Sequence, residues 1–218
     1  MGCDIHVYAE AKKDGKWESV DKWVDEYGEG PDAKYDSRLY TGRNYVLFSF
    51  LADVRNGHGF AGVDTGDRIE PICAPKGVPD DCDARIAKAC DDWGCDGHSH
   101  SWLTIGELKS ADWLRTITQR GFVGPSDFRR WDYFGKPENW WGGISGPRIQ
   151  FLSNSGMQEM FPDWKAVRAY EEKNSTPRHY TQVQWKTLLA VVCERFIVDT
   201  IPALERHGDS RIVFWFDN

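Results

Sequence analysis

Residues 211–218, RIVFWFDN, form the stretch that decides the fold. A nearly unbroken apolar run of this kind is typical of a strand in the middle of a sheet, covered on both faces. Residues 3–11, CDIHVYAEA, alternate in character and precede an Asp-Gly turn, which predicts the first arm of a β-hairpin. We expect these two strands to be adjacent, which would bring Asp217 or Asn218 close to Asp4.

Several segments between these strands have apolar residues at helical spacing. Helices are predicted within residues 43–57, 79–90 and 105–118, and from residue 181 until Pro202 kinks or ends the helix; the last two are predicted from capping patterns at their starts. Helices that alternate with strands in this way indicate the α/β class, with α+β as the alternative. The expected architecture is one central mixed sheet packed by helices.

The length and composition suit one globular domain over residues 1–218, because 40% of the chain is hydrophobic and a sizeable core can form. Residues 121–156 are rich in Gly, Pro and Trp, and we expect them to form a long irregular, aromatic-lined insertion. The formal charge of −7 is spread along the chain, which argues against a protein that coats duplex nucleic acid. No apolar run approaches the roughly 18 residues that a membrane span requires, so a cytoplasmic protein is expected.

Asp4 and His6 are candidate catalytic residues on the N-terminal strand. Side chains two apart in a strand lie on the same face, so this carboxylate and this imidazole can meet one ligand or orient each other. The alternative is an ordinary surface pair on an edge strand.

Residues 96–102, DGHSHSW, hold the strongest local signal for chemistry. His98 and His100, beside Asp96 in a glycine-containing segment, could converge on one phosphate or one metal ion. The alternative is that both histidines cap the following helix and pack against Trp102. A cofactor cannot be named from these residues, but a divalent metal is one that this part of the chain could hold, and its candidate ligands are Asp4, His6, Asp96, His98 and His100.

Arginines flank the first predicted helix and are candidate ligand-binding residues. Arg43 and Asn44 precede the helix, and Arg55 follows it. A guanidinium group can bind a phosphate through two parallel hydrogen bonds. Solvated surface arginines are the alternative interpretation. Trp102, Asp217 and Asn218 complete the set of predicted ligand contacts.

Three stretches together give a resemblance to known proteins: the opening MGCDIH, residues 43–57 and residues 96–102. The chain resembles, end to end, a family of small phage and prophage proteins. The resemblance implies a phage setting, where small proteins in the host cytosol often counter host defence. It brings no catalytic residues that could be transferred to this sequence.

The leading hypothesis is a hydrolase that acts on a phosphate-containing small molecule, such as a nucleotide immune signal. His6 and either His98 or His100 would serve as acid and base, while Arg43 or Arg55 would stabilise the phosphate charge. The alternative is a non-catalytic anti-defence protein that sequesters a nucleotide-like ligand or blocks a host protein; a virion component is a third candidate, and the protein could form oligomers. The catalytic hypothesis requires that the imidazoles share one cavity.

Overall fold

The computed structural model describes residues 2–25 and 34–217 and contains both helices and strands. The strands are β1 (Asp4–Lys13), β2 (Lys16–Ser19), β3 (Lys22–Asp25), β4 (Lys34–Ser37), β5 (His98–Thr104), β6 (Thr116–Val123), β7 (Gln150–Phe151), β8 (His179–Leu188) and β9 (Ser210–Asp217). The helices are α1 (Tyr45–Ala52), α2 (Ala84–Trp93), α3 (Ile105–Ser110), α4 (Pro125–Phe134), α5 (Asn154–Met160), α6 (Trp164–Glu171), α7 (Leu189–Val192) and α8 (Ile201–Glu205). The chain therefore belongs to the α/β class, as predicted. None of the helices in the described parts of the chain is long and apolar enough to cross a lipid bilayer.

The chain divides into two compact units. The first comprises Met1–Val54, Glu70–Trp113 and Ala190–Asn218, and the second comprises Arg55–Ile69 and Leu114–Leu189. Both units are assembled from separated stretches of chain, so the division does not correspond to a single cut in the sequence. A single domain over residues 1–218 stays a prediction.

The first unit is built on a four-stranded sheet in the order β2-β1-β9-β5. Strand β9 lies between β1 and β5 and runs antiparallel to both, with Asp4 opposite Asp217. The predicted hairpin and the predicted adjacency of the two terminal strands are confirmed. The expected mixed sheet is wrong for this unit, because every neighbouring pair of these strands is antiparallel.

Strand β9 is central because it buries side chains on both faces of the sheet. Trp215 packs in one cluster with Tyr8 and with Ile86 of α2. Phe216 points the other way, since successive side chains in a strand alternate, and its ring meets Phe48 of α1 at 5.2 Å. Helices α2 and α1 therefore cover opposite faces, which we call the α2 face and the α1 face.

The second unit contains a three-stranded sheet in the order β6-β8-β7 and helices α4, α5 and α6. Strand β8 runs antiparallel to β6 and parallel to β7, so this sheet is mixed. The buried side chains of the helices and the sheet form one core, made of Val123, Phe128, Met157, Phe161, Val167, Val183 and Trp185.

Two predicted helices and the predicted irregular insertion need correction. Residues 181–188 belong to β8, because Thr181, Val183 and Trp185 are buried and the residues between them are exposed, which is the period of a strand. The helix predicted over 105–118 ends at Ser110, and a strand with the same alternation follows it. The insertion expected to be irregular contains the ten-residue helix α4.

A buried ion pair joins β1 to β9 at the opposite end of the sheet from Asp4. Glu10 is 0% exposed and Arg211 is 3% exposed, and Arg211 Nε donates to Glu10 Oε2 at 2.6 Å. The guanidinium lies over the ring of Trp17 at 4.0 Å and that of Trp102 at 5.5 Å. A charge in this position is tolerated only while its partner is present.

We predict that Arg211→Met lowers the free energy of unfolding by about 3–5 kcal/mol, because Glu10 is left as a buried, unpaired carboxylate. The double variant Glu10→Leu/Arg211→Met should recover much of this loss, since no buried charge remains. Urea unfolding followed by tryptophan fluorescence measures both. Lys88→Met, which removes an exposed pair with Asp92, is the control and should change stability by less than about 0.5 kcal/mol. Equal effects of the Arg211 and Lys88 changes would contradict the prediction.

Candidate functional site

A pocket of about 300 Å³ opens in the first unit where β1 begins and β9 ends. We call it the terminal pocket. Its volume lies at the lower end of the range for small-molecule sites. The residues that line it are Gly2, Asp4, Arg43, Trp93, Asp96 and Asp217. Asp4, Arg43, Asp96 and Asp217 were candidate site residues from the sequence, so the structure brings these four together.

Arg43 is held by Asp4 on the wall of the terminal pocket. Its Nε donates to Asp4 Oδ1 at 2.6 Å, and its Nη2 donates to Asp4 Oδ2, so the two groups form a bidentate pair. The hydrogen bonds from Arg43 lower the pKa of Asp4 below its usual value, despite the opposing effect of partial burial. The positive charge of Arg43 is therefore already matched by a carboxylate.

Asp217 is fixed by donors on both of its carboxylate oxygens. The backbone N–H of Asp4 donates to Oδ1 at 3.0 Å, and His6 Nε2 lies 3.0 Å from Oδ2. Asp4 and His6 share a face of β1, as the alternation predicted. The carboxylate that His6 contacts and orients, however, is that of Asp217 and not that of Asp4.

His6 has both ring nitrogens occupied. Arg38 Nη1 lies 2.9 Å from His6 Nδ1, and a guanidinium can only donate, so Nδ1 accepts and Nε2 carries the proton toward Asp217. The residue is 8% exposed, and its ring centroid lies 4.2 Å from that of Trp93. Burial lowers the pKa of His6, and the charge of Arg38 adds to this effect while Asp217 opposes it. Both ring nitrogens of His6 are thus engaged by protein side chains, and its predicted role as an acid or base stays a prediction.

His98 and His100 do not converge. Strand β5 has a bulge between His98 and Ser101, where Ser99 takes a positive φ of 52°. The extra residue turns the chain, so the His98 ring meets Phe216 at 6.0 Å on the α1 face. The His100 ring meets Trp215 at 6.0 Å on the α2 face. The prediction that both imidazoles face one ligand is wrong for this physical reason.

The remaining histidine geometry does not support a shared metal site. His6 and His100 both stack on Trp215, at 5.7 and 6.0 Å, and neither lines the terminal pocket. Across the two described ranges, no three His, Cys, Asp or Glu side chains are grouped so that they could hold one metal ion. The metal set predicted from the sequence, Asp4, His6, Asp96, His98 and His100, is therefore not assembled.

The other predicted ligand contacts have different places in the structure. Asn44 is the N-cap of α1: its Oδ1 accepts from the backbone N–H groups of Val46 and Leu47, and its Nδ2 donates to a main-chain carbonyl. Trp102 packs against Lys76 at 4.1 Å, far along the sheet from the pocket. These two ligand-binding predictions are corrected to structural roles. Arg55 belongs to the second unit and does not line the pocket, and Asn218 lies outside the described residues.

Sequence reasoning missed Gly2 and Trp93 in the lining of the pocket, and it missed Arg38, which contacts His6 outside that lining. Trp93 lines the pocket from the end of α2, and its position just before DGHSHSW was a usable signal. Arg38 follows a polar stretch and offers no local pattern that would point to His6, 32 residues earlier. The contact between Arg38 and His6 can be identified only from the folded structure.

Asp96 gives the terminal pocket an unmatched negative charge. Its exposed carboxylate makes no hydrogen bond or ion pair with any residue that the structure describes. The pocket thus contains three carboxylates and one guanidinium, and that guanidinium is already paired with Asp4. Groups that donate hydrogen bonds or carry positive charge are favoured there.

Comparisons with protein-family models, with curated proteins and with solved structures gave no match for this chain. The function is therefore inferred from the chemistry of the terminal pocket.

The stability should depend on pH through His6, which is buried, and through His100, which is partly buried. Burial lowers the pKa of His6 and of His100 in the folded protein, so the unfolded chain binds protons more readily. Their contribution is fully present above the unfolded pKa of about 6.5 and is lost as pH falls through the lower folded values.

We expect the free energy of unfolding to fall between pH 7 and pH 5, and to fall less steeply in His6→Gln. Urea unfolding at each pH measures the slope. His207→Gln changes an exposed histidine and should keep the wild-type slope. An unchanged slope in His6→Gln would show that His6 titrates alike in both states.

Proposed function

We propose that the protein binds a small nucleotide-like molecule in the terminal pocket through the N–H groups of that molecule. The observation that carries the proposal is the pairing of charges: Asp96 has no partner among the described residues, whereas the cation of the pocket, Arg43, is held by Asp4. A ligand with amino or ring N–H donors satisfies Asp96, and hydrogen bonds to a charged acceptor are among the stronger ones.

The rest of the pocket suits a flat ring with such donors. Trp93 supplies an aromatic wall, against which a nucleobase can stack. Asp217 offers a second carboxylate whose orientation is fixed by His6 and by the main chain of β1. A phosphate group would have to take Arg43 from Asp4, so we infer that the base, and not the phosphate, supplies most of the binding energy.

This proposal corresponds to a sequestering protein. In the phage setting that the sequence resemblance implies, holding a nucleotide signal away from its host receptor would counter host defence. Such a role needs affinity and does not need a catalytic group.

Hydrolysis of a phosphate-containing small molecule is the second candidate, and one observation favours it. Asp217 and Arg43 line the same pocket, so a carboxylate base and a phosphate-binding guanidinium could act on one ligand. In this case Asp217 replaces the histidines as the base, and His6 orients it.

We expect calorimetric titration with nucleosides and their mono- and triphosphates to detect binding of bases that carry amino groups. Asp96→Asn should weaken binding by about 10- to 100-fold, because a charged acceptor is lost. Asp92→Asn, an exposed carboxylate paired with Lys88 outside the pocket, is the matched control and should bind like the wild type. If no compound binds, or if both variants bind equally, the proposal is wrong.

Hydrolysis is tested with the same compounds by phosphorus NMR of the reaction mixture. A sequestering protein returns the ligand intact. A hydrolase releases product, and Asp217→Asn should then reduce the rate by at least about 100-fold, since removing a general base typically costs 10²–10⁴. Turnover that persists unchanged in Asp217→Asn would exclude the hydrolytic candidate as formulated here.

A further inference from the structure

We propose that Arg38 is a positioning residue of the terminal pocket, which holds His6 in its Nε2–H form so that the ring donates to Asp217. The inference rests on the proposed function of the pocket. It adds an explanation of how Asp217 keeps its negative charge, because the His6 ring beside it is held in its neutral form. Arg38 does not line the pocket; it contacts His6, which in turn contacts Asp217.

Arg38, His6 and Asp217 form a chain of hydrogen bonds with one direction, which ends on the carboxylate of Asp217. Arg38 Nη1 donates to His6 Nδ1 at 2.9 Å, and His6 Nε2 donates to Asp217 Oδ2 at 3.0 Å. The main-chain N–H of Asp4 donates to Asp217 Oδ1 at 3.0 Å. Because an arginine side chain has no acceptor, the order of donors and acceptors along this chain cannot be reversed.

Arg38 is itself held in place by the aromatic side chains of the α2 face. Its guanidinium carbon lies 5.5 Å from the ring centroid of Tyr8, over the ring face. Tyr8 in turn stacks on Trp215 at 5.0 Å and on Trp23 at 5.6 Å. The donor that meets His6 is therefore part of a packed layer.

Without Arg38, His6 has two other states. It can move its proton to Nδ1, which would leave an unprotonated Nε2 facing the Asp217 carboxylate. It can also take a second proton, which would place an imidazolium against Asp217 and cancel the charge that a ligand N–H group needs. Arg38 opposes both states, because in each of them His6 Nδ1 carries a proton that would point at the N–H group of Arg38.

The balance at His6 is set by a small number of neighbours. Among the described residues, the charged groups that act on it are Arg38, Asp4 and Asp217, and its ring neighbours Trp93 and Trp215 are neutral. Burial and Arg38 both lower the pKa of His6, whereas the two carboxylates raise it. Removal of Arg38 should therefore raise the His6 pKa, and removal of the Asp217 charge should lower it.

Nitrogen NMR of the ¹⁵N-histidine-labelled protein, without ligand, tests the proposal directly. We expect wild-type His6 to be the neutral Nε2–H tautomer at pH 7.5 and to stay neutral at a lower pH than an ordinary histidine does. In Arg38→Met the pKa of His6 should rise and the Nδ1–H form should appear, and Arg38→Lys should restore part of the wild-type signal. Asp217→Asn should shift the His6 pKa in the opposite direction. Arg85→Met, an exposed arginine paired with Asp83, is the matched control and should leave the His6 signals unchanged.

The second measurement is the pH profile of nucleoside binding. As the pH is lowered from 7.5, Arg38→Met should lose nucleoside affinity at a higher pH than the wild type does, by about tenfold once His6 is charged, because one charged contact is then weakened. A purely structural role for Arg38 would lower stability without altering this profile.

An Nδ1–H tautomer in the wild type, or His6 signals in a folded Arg38→Met that match the wild type, would overturn the assignment of Arg38. If Arg38→Met does not fold, the wild-type tautomer and Arg38→Lys decide the question alone. The expected tautomer together with no nucleoside binding would reject the proposed function and leave the positioning of His6 intact.

Discussion

The antiparallel pairing of β1 with β9 is the constraint on which the rest of the first unit depends. It runs without interruption from Asp4 opposite Asp217 to Ala11 opposite Ser210. Hydrophobic burial drives it, because Trp215 and Phe216 are each fully buried, one on each face. The same register places Asp217 beside His6 and Arg211 beside Glu10. A slip of one residue would turn each of these side chains to the wrong face.

Two groups of buried polar side chains lie on the α2 face, one near each end of the sheet. Two polar side chains that the sheet removes from water, Glu10 and His6, each have a partner of complementary chemistry. Near β2 this is the Glu10–Arg211 ion pair between two indole rings. Near the terminal pocket it is the neutral His6 between Arg38 and Asp217. The first arrangement is closed to solvent, whereas the second ends on a carboxylate that reaches a cavity.

Features that depend on local sequence could be predicted, and features that depend on tertiary packing could not. The hairpin and the burial of β9 follow from alternation and from an apolar run, and both were predicted. The Thr181–Gln184 spacing resembles a helix cap, but the alternation of Val183 and Trp185 against a sheet decided the outcome. Asp4, Arg43, Asp96 and Asp217 were identified as site residues, yet the partner of His6 was not, because Arg38 reaches it only through the folded chain.

The bulge at Ser99 has a consequence for how substitutions along β5 should be interpreted. One additional residue shifts the alternation of side chains between the two faces of the sheet. Even-numbered residues before Ser99 and even-numbered residues after it therefore lie on opposite faces. His98 and His100, an i and i+2 pair that a regular strand would place on one face, therefore pack against opposite faces of the sheet. A single insertion has in this way separated two residues that the linear sequence presents as one motif.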